Sequence, residues 1–331
     1  MPFDWPKPRP DHSDHHAPRR HDADTRRATV RRRGIAAATL LALAGCAGCG
    51  TTLTPIHQGA IQTWLSGPPR FDHVLIVVLE NESANEIPAH GYLDSLARRG
   101  AALRDFHGEA HPSYPNYLAL VAGETFGVRG DRQSNIDAPT IADRLEAKGL
   151  TWKVYAEGYP GNCFLGSSSG KYARKHVPFL SFIPIQRDSA RCANVVNSSQ
   201  FDAANLPSYA LYIPDLNHDG HNTTLAYATQ WLRGFLEPLL ANQAVMQRTL
   251  VIITFDESEG HEATNRIYTV MLGGTVRPGA VDSTPLNHYN LLRTIEANFG
   301  LEPLARERDV TPITTIWNDS LGVPGTSSAP R

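Results

Sequence analysis

Two stretches of sequence, HVLIVVLENES at residues 73–83 and TLVIITFDESEG at residues 249–260, decide the fold of this chain. Each contains a largely apolar run that ends at a carboxylate, Glu80 in the first and Asp256 in the second. Runs of this length without alternation are typical of strands buried on both faces, as in a parallel sheet flanked by helices. In such open sheets, ligands bind beyond the carboxyl ends of the strands, where acids distant in sequence can converge. The two stretches therefore predict an α/β protein with a metal-assisted active site at one edge of its sheet.

The rest of the sequence alternates strands with helices and predicts a single domain over residues 71–318. Of the 331 residues, 41% are hydrophobic and 19% charged, which is typical of a globular protein. Residues 157–205, rich in Gly and Ser, are predicted to be a long functional loop region. We therefore expect one α/β domain with a mostly parallel central sheet flanked by helices. The predicted strands are 74–79, 102–106, 151–156, 209–213, 250–255 and 268–272, and the predicted helices are 93–100, 115–122, 139–148, 225–240 and 289–299.

The N-terminal residues differ in composition from this domain. Residues 1–33 are polar and rich in Pro, His and Arg, which predicts a disordered basic head. Residues 34–46 are apolar behind a basic cluster, as in an export signal, and are too short to span a membrane. They end in LAGC, which resembles the bacterial lipoprotein processing box with Cys46 as the lipid-anchored residue; an ordinary secretory signal is the alternative. We expect an exported bacterial protein, either a membrane-anchored lipoprotein or secreted or periplasmic. The remaining predicted segments are a tether at 47–70 and a flexible tail at 319–331.

Export changes what the charges and cysteines imply. Residues 46–331 carry 22 Lys and Arg against 28 Asp and Glu, without a basic run typical of nucleic-acid binding. Beyond the signal region and Cys49, which would lie beside the lipid anchor, the cysteines are Cys163 and Cys192. In an oxidising compartment two such residues are expected to form a disulfide, worth roughly 3 kcal/mol for a loop of about 30 residues. The alternative, a metal-binding pair, lacks another cysteine at ligand spacing.

The strand-end acids are the first group that indicates chemistry. Glu80-Asn81 and Asp256-Glu257 each follow an apolar run directly. One acid at a strand end is often a helix cap or an ion-pair partner, but two acidic strand ends favour a metal site. Oxygen ligands suit Mg²⁺, Ca²⁺ or Mn²⁺, or Zn²⁺ with support from histidine. The pattern therefore predicts a bound divalent metal ion.

Ser113 is the predicted nucleophile. It lies in HPSYPN, residues 111–116, where a turn leads into a predicted helix. A hydroxyl at that position lies near unpaired N–H groups and the positive end of the helix dipole, which suits phosphate binding. A metal ion beside it would lower its pKa and activate it. The alternative is a serine that only caps the helix.

The segment PDLNHDGHN, residues 214–222, follows a predicted strand and contains Asp215, His218, Asp219 and His221. Its composition also matches an ordinary Gly/Asn/Asp turn. The density of histidines in one strand-end loop favours a functional interpretation, most strongly for Asp219 and His221.

Two further segments contain candidate substrate-binding residues. KYARKH at 171–176 offers Lys175 and His176, which would supply charge or protons to a phosphate, although a solvated basic patch fits equally well. His288 precedes a predicted helix, as either a cap or an active-site residue. GSSSG at 166–170 matches the serine-hydrolase pattern but lacks the flanking strand and helix that a nucleophile elbow requires.

Taken together, these segments resemble the bacterial phosphoesterase family that holds secreted acid phosphatases and phospholipases C, within the alkaline-phosphatase superfamily. The motifs occur in the family's order and cover nearly the whole chain after the signal region. The matching segments are ENES at 80–83, PSYPNYL at 112–118, RKHVPF at 174–179, DGH at 219–221, TFDE at 254–257 and HYNLLRTIE at 288–296.

The resemblance implies an alkaline-phosphatase-like fold and a metal ion held near the serine. Glu257 stands where the wider superfamily often has a histidine ligand, which favours one hard cation such as Mg²⁺, Ca²⁺ or Mn²⁺, or Zn²⁺, over a full two-zinc site. Residue patterns and resemblance together predict metal ligands Glu80, Asn81, Asp256, Glu257 and Ser113, catalytic residues Ser113, His176 and His221, and substrate-binding residues Lys175, Asn116, Asp219 and His288.

The expected function is metal-dependent phosphoester hydrolysis of an acid-phosphatase type, with Ser113 forming a phosphoserine intermediate. The expected partners are small phosphoesters or phospholipid headgroups, including phosphoinositides, and not nucleic acid. The compact chain lacks the large insertions of phospholipases C, although a phosphodiesterase or phospholipase C on the same scaffold is the alternative. A non-catalytic surface lipoprotein that binds a ligand or partner is the alternative of another class.

Overall fold

Strands β1 (His73–Leu79) and β8 (Thr249–Phe255) lie side by side in the middle of the sheet, as their sequences predict. Every residue of β8 is buried, as is every residue of β1 after His73. The strands pair in parallel, with Val74 opposite Leu250. On its other side β1 pairs in parallel with β7 (Tyr209–Ile213). Burial of both faces explains why neither sequence alternates between polar and apolar residues.

The computed structural model describes residues 70–88, 91–261, 263–304 and 310–318. The predicted basic head, the export signal with Cys46, the tether up to residue 69 and the tail lie outside the described residues. Among the residues described, no helix combines the length and the apolarity needed to cross a lipid bilayer.

The sheet that the described residues form has strand order β10-β2-β9-β8-β1-β7-β3-β6, with β11 also beside β2. The strand β9 is antiparallel to both of its neighbours, and the other pairs are parallel. The predicted mostly parallel α/β fold is therefore confirmed. The other strands are β2 (Ala101–His107), β3 (Trp152–Ala156), β6 (Val195–Asn197), β9 (Arg266–Leu272), β10 (Ala280–Asp282) and β11 (Leu286–Asn287), and β4 (Ser168–Ser169) and β5 (Tyr172–Ala173) form a separate hairpin.

The helices that matter most for the site are α2 (Tyr114–Ala122) and α8 (His288–Phe299), and both have well-defined ends. Helix α2 ends at Gly123, whose φ of 64° is the left-handed conformation that favours glycine. The side chain of Asn287 caps α8 by accepting from the first free N–H groups. The other helices are α1 (Tyr92–Arg99), α3 (Ile141–Ala147), α4 (Ile183–Gln186), α5 (Ser189–Cys192), α6 (Leu225–Ala241) and α7 (Gln243–Met246).

The region predicted as one long loop, residues 157–205, contains regular structure, so that prediction was wrong in part. Its strand β6 extends the main sheet by pairing in parallel with β3. The predicted disulfide between Cys163 and Cys192 is confirmed, with 5.6 Å between the two Cα atoms. Ser168–Ser169 of the GSSSG segment form β4, which pairs with β5 in the separate hairpin, so this segment is not a nucleophile elbow.

Helix α8 carries a buried acid whose ionisation opposes folding. Glu296 is fully buried; its Oε1 accepts from Leu304 N at 3.0 Å, and its Oε2 has no hydrogen-bond partner. Burial raises the pKa of Glu296 to about 7. Because the unfolded state ionises at lower pH, the carboxylate destabilises the fold increasingly as pH rises from about 4.5 to 7.

We therefore expect Glu296→Gln to raise the free energy of unfolding by about 1–3 kcal/mol at pH 8 and to leave it nearly unchanged at pH 4.5. Urea unfolding at both pH values measures this difference. The exposed Glu302→Gln serves as the control and should have little effect at either pH. An equal change in the Glu296→Gln protein at both pH values would show that ionisation is not the cause.

Candidate active site

The strand ends bring the predicted acids together. Beyond β1, Glu80 N donates to Asp219 O at 2.9 Å, and Asp256 N donates to Leu79 O at 3.1 Å. These bonds continue the sheet pairing past the strands, so the loops after β1, β7 and β8 start side by side. Asp256 Oδ1 also accepts from Asn81 N at 3.2 Å. Acids separated by more than a hundred residues in sequence therefore share one site.

Ser113 lies between two of the predicted carboxylates. Its hydroxyl is 3.0 Å from Glu80 Oε2 and 3.0 Å from Glu257 Oε1. It stands at the N-cap position of α2, but its side chain makes no capping hydrogen bond. The alternative of a serine that only caps the helix is therefore wrong. Since a hydroxyl carries one proton, it cannot donate to both ionised carboxylates at once.

The site contains buried oxygen atoms that lack hydrogen-bond partners. They are Asn81 Oδ1, Asp219 Oδ2 and Asp256 Oδ2. Buried polar atoms are nearly always hydrogen-bonded, and the binding of an ion is one of the recognised reasons for exceptions. An oxygen-rich donor set around Ser113 is the chemistry that a hard divalent cation requires. The residues present therefore fit a metal ion.

The charge of the site leads to the same conclusion. Burial, and then the neighbouring Asp256 and Asp219, raises the pKa of Glu80 well above its ordinary value. Burial and the adjacent Glu257 do the same to the pKa of Asp256. Several carboxylates in one buried place repel each other and lose their hydration. A bound cation would relieve both effects.

His176 lies on the other side of Glu80. Its Nε2 is 3.2 Å from Glu80 Oε1 without a hydrogen bond, and its Nδ1 is 3.5 Å from Asp219 Oδ2. Tyr117 donates its hydroxyl to Glu80 and stacks on the His176 ring, with 5.0 Å between centroids. Burial lowers the pKa of His176 well below its ordinary value. Glu80, His176 and Asp219 each have one potential ligand atom within 4.8 Å of those of the other two, so these three residues could also hold a metal ion.

A cavity of about 580 Å³ opens above Ser113. Lys175 reaches its wall from the segment after β5, and Lys175 Nζ is 2.6 Å from Asp131 Oδ2. Burial lowers the pKa of Lys175, but the hydrogen bond to Asp131 and the charge of Glu80 outweigh this, so its pKa is raised. His221 also lines the cavity, and its ring centroid is 6.1 Å from that of His176. The cavity lining thus combines a lysine and a histidine with the carboxylates of Asp131 and Glu257.

Three predicted substrate-binding residues do not line this cavity, namely Asp219, which lies against His176, and Asn116 and His288. Asn116 is buried behind Ser113, where its Oδ1 accepts from Glu109 N and Ala110 N and its Nδ2 donates to Ala110 O. His288 Nε2 donates to the backbone oxygen of Asp256 at 2.9 Å. Asn116 and His288 hold the backbone on which the site is built, and neither reaches the cavity.

The sequence interpretation missed three residues of the site. His111, two residues before Ser113, contacts Glu257 through Nδ1 and lines the cavity. The HPSYPN segment contained that signal, whereas nothing local indicated Asp131 or Tyr117. His218, given less weight in the sequence, is turned away: its Nδ1 is 2.6 Å from Glu157 Oε2, and its ring stacks on Trp231.

Two known phosphatases are similar to this chain in sequence. The acid phosphatase of Aspergillus fumigatus is 34% identical over 252 residues, 71% of this chain and 56% of the fungal protein. The phosphatidylinositol-3-phosphatase of Mycobacterium tuberculosis is 37% identical over 259 residues, 77% of this chain and 85% of that protein. This chain spans little more than half the length of the fungal relative.

A solved protein of the alkaline phosphatase superfamily from Vibrio parahaemolyticus has the same fold. It superposes with a TM-score of 0.54 at 11% identity, over 77% of this chain and 78% of that protein. The predicted alkaline-phosphatase-like fold is confirmed. The model of the phosphoesterase family matches residues 84–302. On this match, and on the identity to the two phosphatases, the chain belongs to the phosphoesterase family.

Proposed function

We propose that this protein is a metal-dependent phosphomonoesterase of the acid-phosphatase type, with Ser113 as its nucleophile. The observation that carries the proposal is the Ser113 hydroxyl, 3.0 Å from both Glu80 and Glu257, at the base of a cavity lined by Lys175 and His221. Membership of the phosphoesterase family and the acid phosphatase among its relatives support the same reaction class.

The proposed metal ligands are those predicted from the sequence, namely Glu80, Asn81, Asp256, Glu257 and Ser113. When bound, a divalent cation supplies Lewis-acid charge that lowers the pKa of a coordinated hydroxyl. The buried oxygen atoms without partners and the clustered carboxylates support this assignment. His288 would keep the Asp256 backbone in place through its hydrogen bond.

The proposed reaction has two displacements at phosphorus. Ser113 Oγ transfers its proton to Glu257 Oε1 and attacks the phosphorus in line, so that the Oγ–P bond forms as the P–O bond to the alcohol breaks. His111, in contact with the other oxygen of Glu257, would hold that carboxylate in place. In the second displacement a water molecule gives a proton to His221, now neutral, and attacks the phosphorus. The Oγ–P bond breaks, Ser113 Oγ takes back the proton held by Glu257, and inorganic phosphate is released.

The side chains of the cavity wall would act on the transferring phosphoryl group and on the leaving alcohol. Lys175 is held towards the cavity by Asp131 and would balance negative charge on the equatorial oxygens. His221 is exposed at the cavity and is assigned to protonate the departing alcohol. His176 is buried against Glu80 and Asp219, where it would bind the phosphate or orient these acids.

The substrate class and the cellular location of the protein are also proposals. The relative named phosphatidylinositol-3-phosphatase supports including phosphoinositides among the substrates tested. The disulfide between Cys163 and Cys192 supports an exported protein, because disulfides persist in oxidising compartments. Attachment to a membrane through Cys46 remains a prediction from the sequence.

The function is tested with p-nitrophenyl phosphate and bis(p-nitrophenyl) phosphate as parallel substrates. We expect the monoester to have the higher kcat/KM, and removal of metal with a chelator to lower turnover by at least about a hundredfold, because the site would lose its main positive charge. Adding back divalent cations one at a time should restore the rate and identify the metal. Faster diester hydrolysis would favour the phosphodiesterase alternative, and a metal-replete but inert protein would favour the non-catalytic one.

A further inference from the structure

We infer that the catalytic cavity continues into an apolar groove that binds the alcohol portion of the substrate, so that the preferred substrates are phosphomonoesters of apolar alcohols. This inference rests on the proposed phosphomonoesterase function. The groove has a volume of about 610 Å³ and lies between α1 and the first turns of α6. Its apolar walls include Tyr92, Leu225 and Ala226.

The groove and the cavity form one continuous depression. Glu82, Thr224 and Leu225 line both. Glu82 N donates to Glu257 O at 3.2 Å, which places the shared wall one hydrogen bond from an acid that contacts Ser113. In an in-line displacement the alcohol leaves on the side of phosphorus opposite the nucleophile. An alcohol that leaves the cavity past the shared residues Thr224 and Leu225 meets the apolar surface of the groove.

The walls of the groove are held by contacts within the protein. The Tyr92 hydroxyl donates to Glu237 Oε1 at 2.8 Å, and the Arg233 guanidinium carbon lies 5.7 Å from the centre of the Tyr92 ring. The Thr224 side chain caps α6 by accepting from Tyr227 N at 3.3 Å. Both walls are thus fixed by contacts of their own. A preformed apolar surface binds apolar groups with little cost of ordering.

The lining of the groove holds few charged groups, and they are of both signs. They are Glu82, Glu86 and Arg233, whose guanidinium lies over the Tyr92 ring. The surface between them is mostly apolar, so a neutral alkyl or aryl group can be buried there without leaving a charge of its own unpaired. The occupant that the groove fits is therefore an uncharged apolar alcohol.

A series of n-alkyl phosphates, from ethyl through butyl and hexyl to octyl, tests this inference below the micellar concentration of each ester. The pKa of the leaving alcohol is nearly constant along the series, so differences in kcat/KM report binding of the chain. We expect kcat/KM to rise by about two- to fourfold for each added methylene until the groove is filled. The Ala226→Trp protein, with an exposed wall residue enlarged, should show a flatter series, with the octyl-to-ethyl ratio lowered by at least about tenfold.

Ala241→Trp is the matched control, because Ala241 is exposed at the end of the same helix and does not line the groove. It should keep the slope of the series. Gln230→Leu, which adds apolar surface to the groove wall, should make the slope steeper. A flat series in the unaltered protein, or an unchanged slope in Ala226→Trp, would overturn the inference. If no ester is hydrolysed, including ethyl and p-nitrophenyl phosphate, it is the proposed function that fails instead.

Discussion

Replacing Ser113 with alanine should lower kcat for p-nitrophenyl phosphate by at least about a thousandfold, since loss of a nucleophile exceeds the loss of one charge-stabilising contact. The hydroxyl is buried, makes no capping bond, and contacts Glu80 and Glu257 instead. Its removal would therefore take away the proposed attacking atom and leave the start of α2 intact. Steady-state kinetics with saturating metal and substrate measure the effect.

A second buried serine provides the control. Ser181 accepts a hydrogen bond from Tyr114 at 2.7 Å and does not line the catalytic cavity. Ser181→Ala should lower stability by about 1 kcal/mol and leave kcat close to that of the unaltered protein. Rapid quenching followed by peptide mass spectrometry should detect phosphate on Ser113 during turnover. A Ser113→Ala protein that retains more than about a tenth of the activity would exclude this serine as nucleophile.

Asp256→Asn should have opposite effects on activity and on the stability of the metal-free protein. Asp256 is buried, its Oδ2 has no hydrogen-bond partner, and burial and Glu257 raise its pKa well above the ordinary value. Without a cation, removing this charge relieves repulsion, so the chelated variant should be more stable than the chelated parent by about 1–4 kcal/mol. With metal present, activity should fall by about 10²–10³-fold through loss of a ligand.

Asp282→Asn is the control for this charge removal. Asp282 is buried on β10, but it accepts hydrogen bonds from Thr284 and Thr315, so its replacement should destabilise the protein without changing activity. Thermal and urea unfolding of chelated and metal-saturated samples measure both proteins. If Asp256→Asn destabilised the chelated protein as Asp282→Asn does, repulsion among the clustered carboxylates would be excluded, and with it this argument for a cation site.

The centre of the fold could be predicted because its strands carry their own signal. Strands β1 and β8 are buried on both faces, so their apolar runs mark them without reference to any partner. The short strands β6, β10 and β11 were missed. Each has two or three residues and is a strand only because it pairs with β3 or β2. A segment of that length is too short to show a period.

The site could be predicted as far as chain direction determines it. Parallel strands end at one edge, so Glu80 and Asp256 had to converge once the sheet was recognised. The direction of a side chain depends on tertiary contacts, which the sequence does not show. Some predicted residues therefore turn away from the cavity, and some residues that were not predicted reach it. Asn116 turns to the backbone of residues 109 and 110, whereas Asp131 reaches Lys175 from a loop without a motif.

The most direct measurement is the metal content of the purified protein, determined by elemental analysis together with turnover. If the strand-end carboxylates hold a cation beside Ser113, the protein should contain about one divalent ion per chain. The Asp256→Asn protein should lose this ion, and the Asp282→Asn protein should keep it. Activity of the unaltered protein should follow the bound ion as it is removed and restored. Full turnover by a protein that contains no divalent ion would contradict this arrangement.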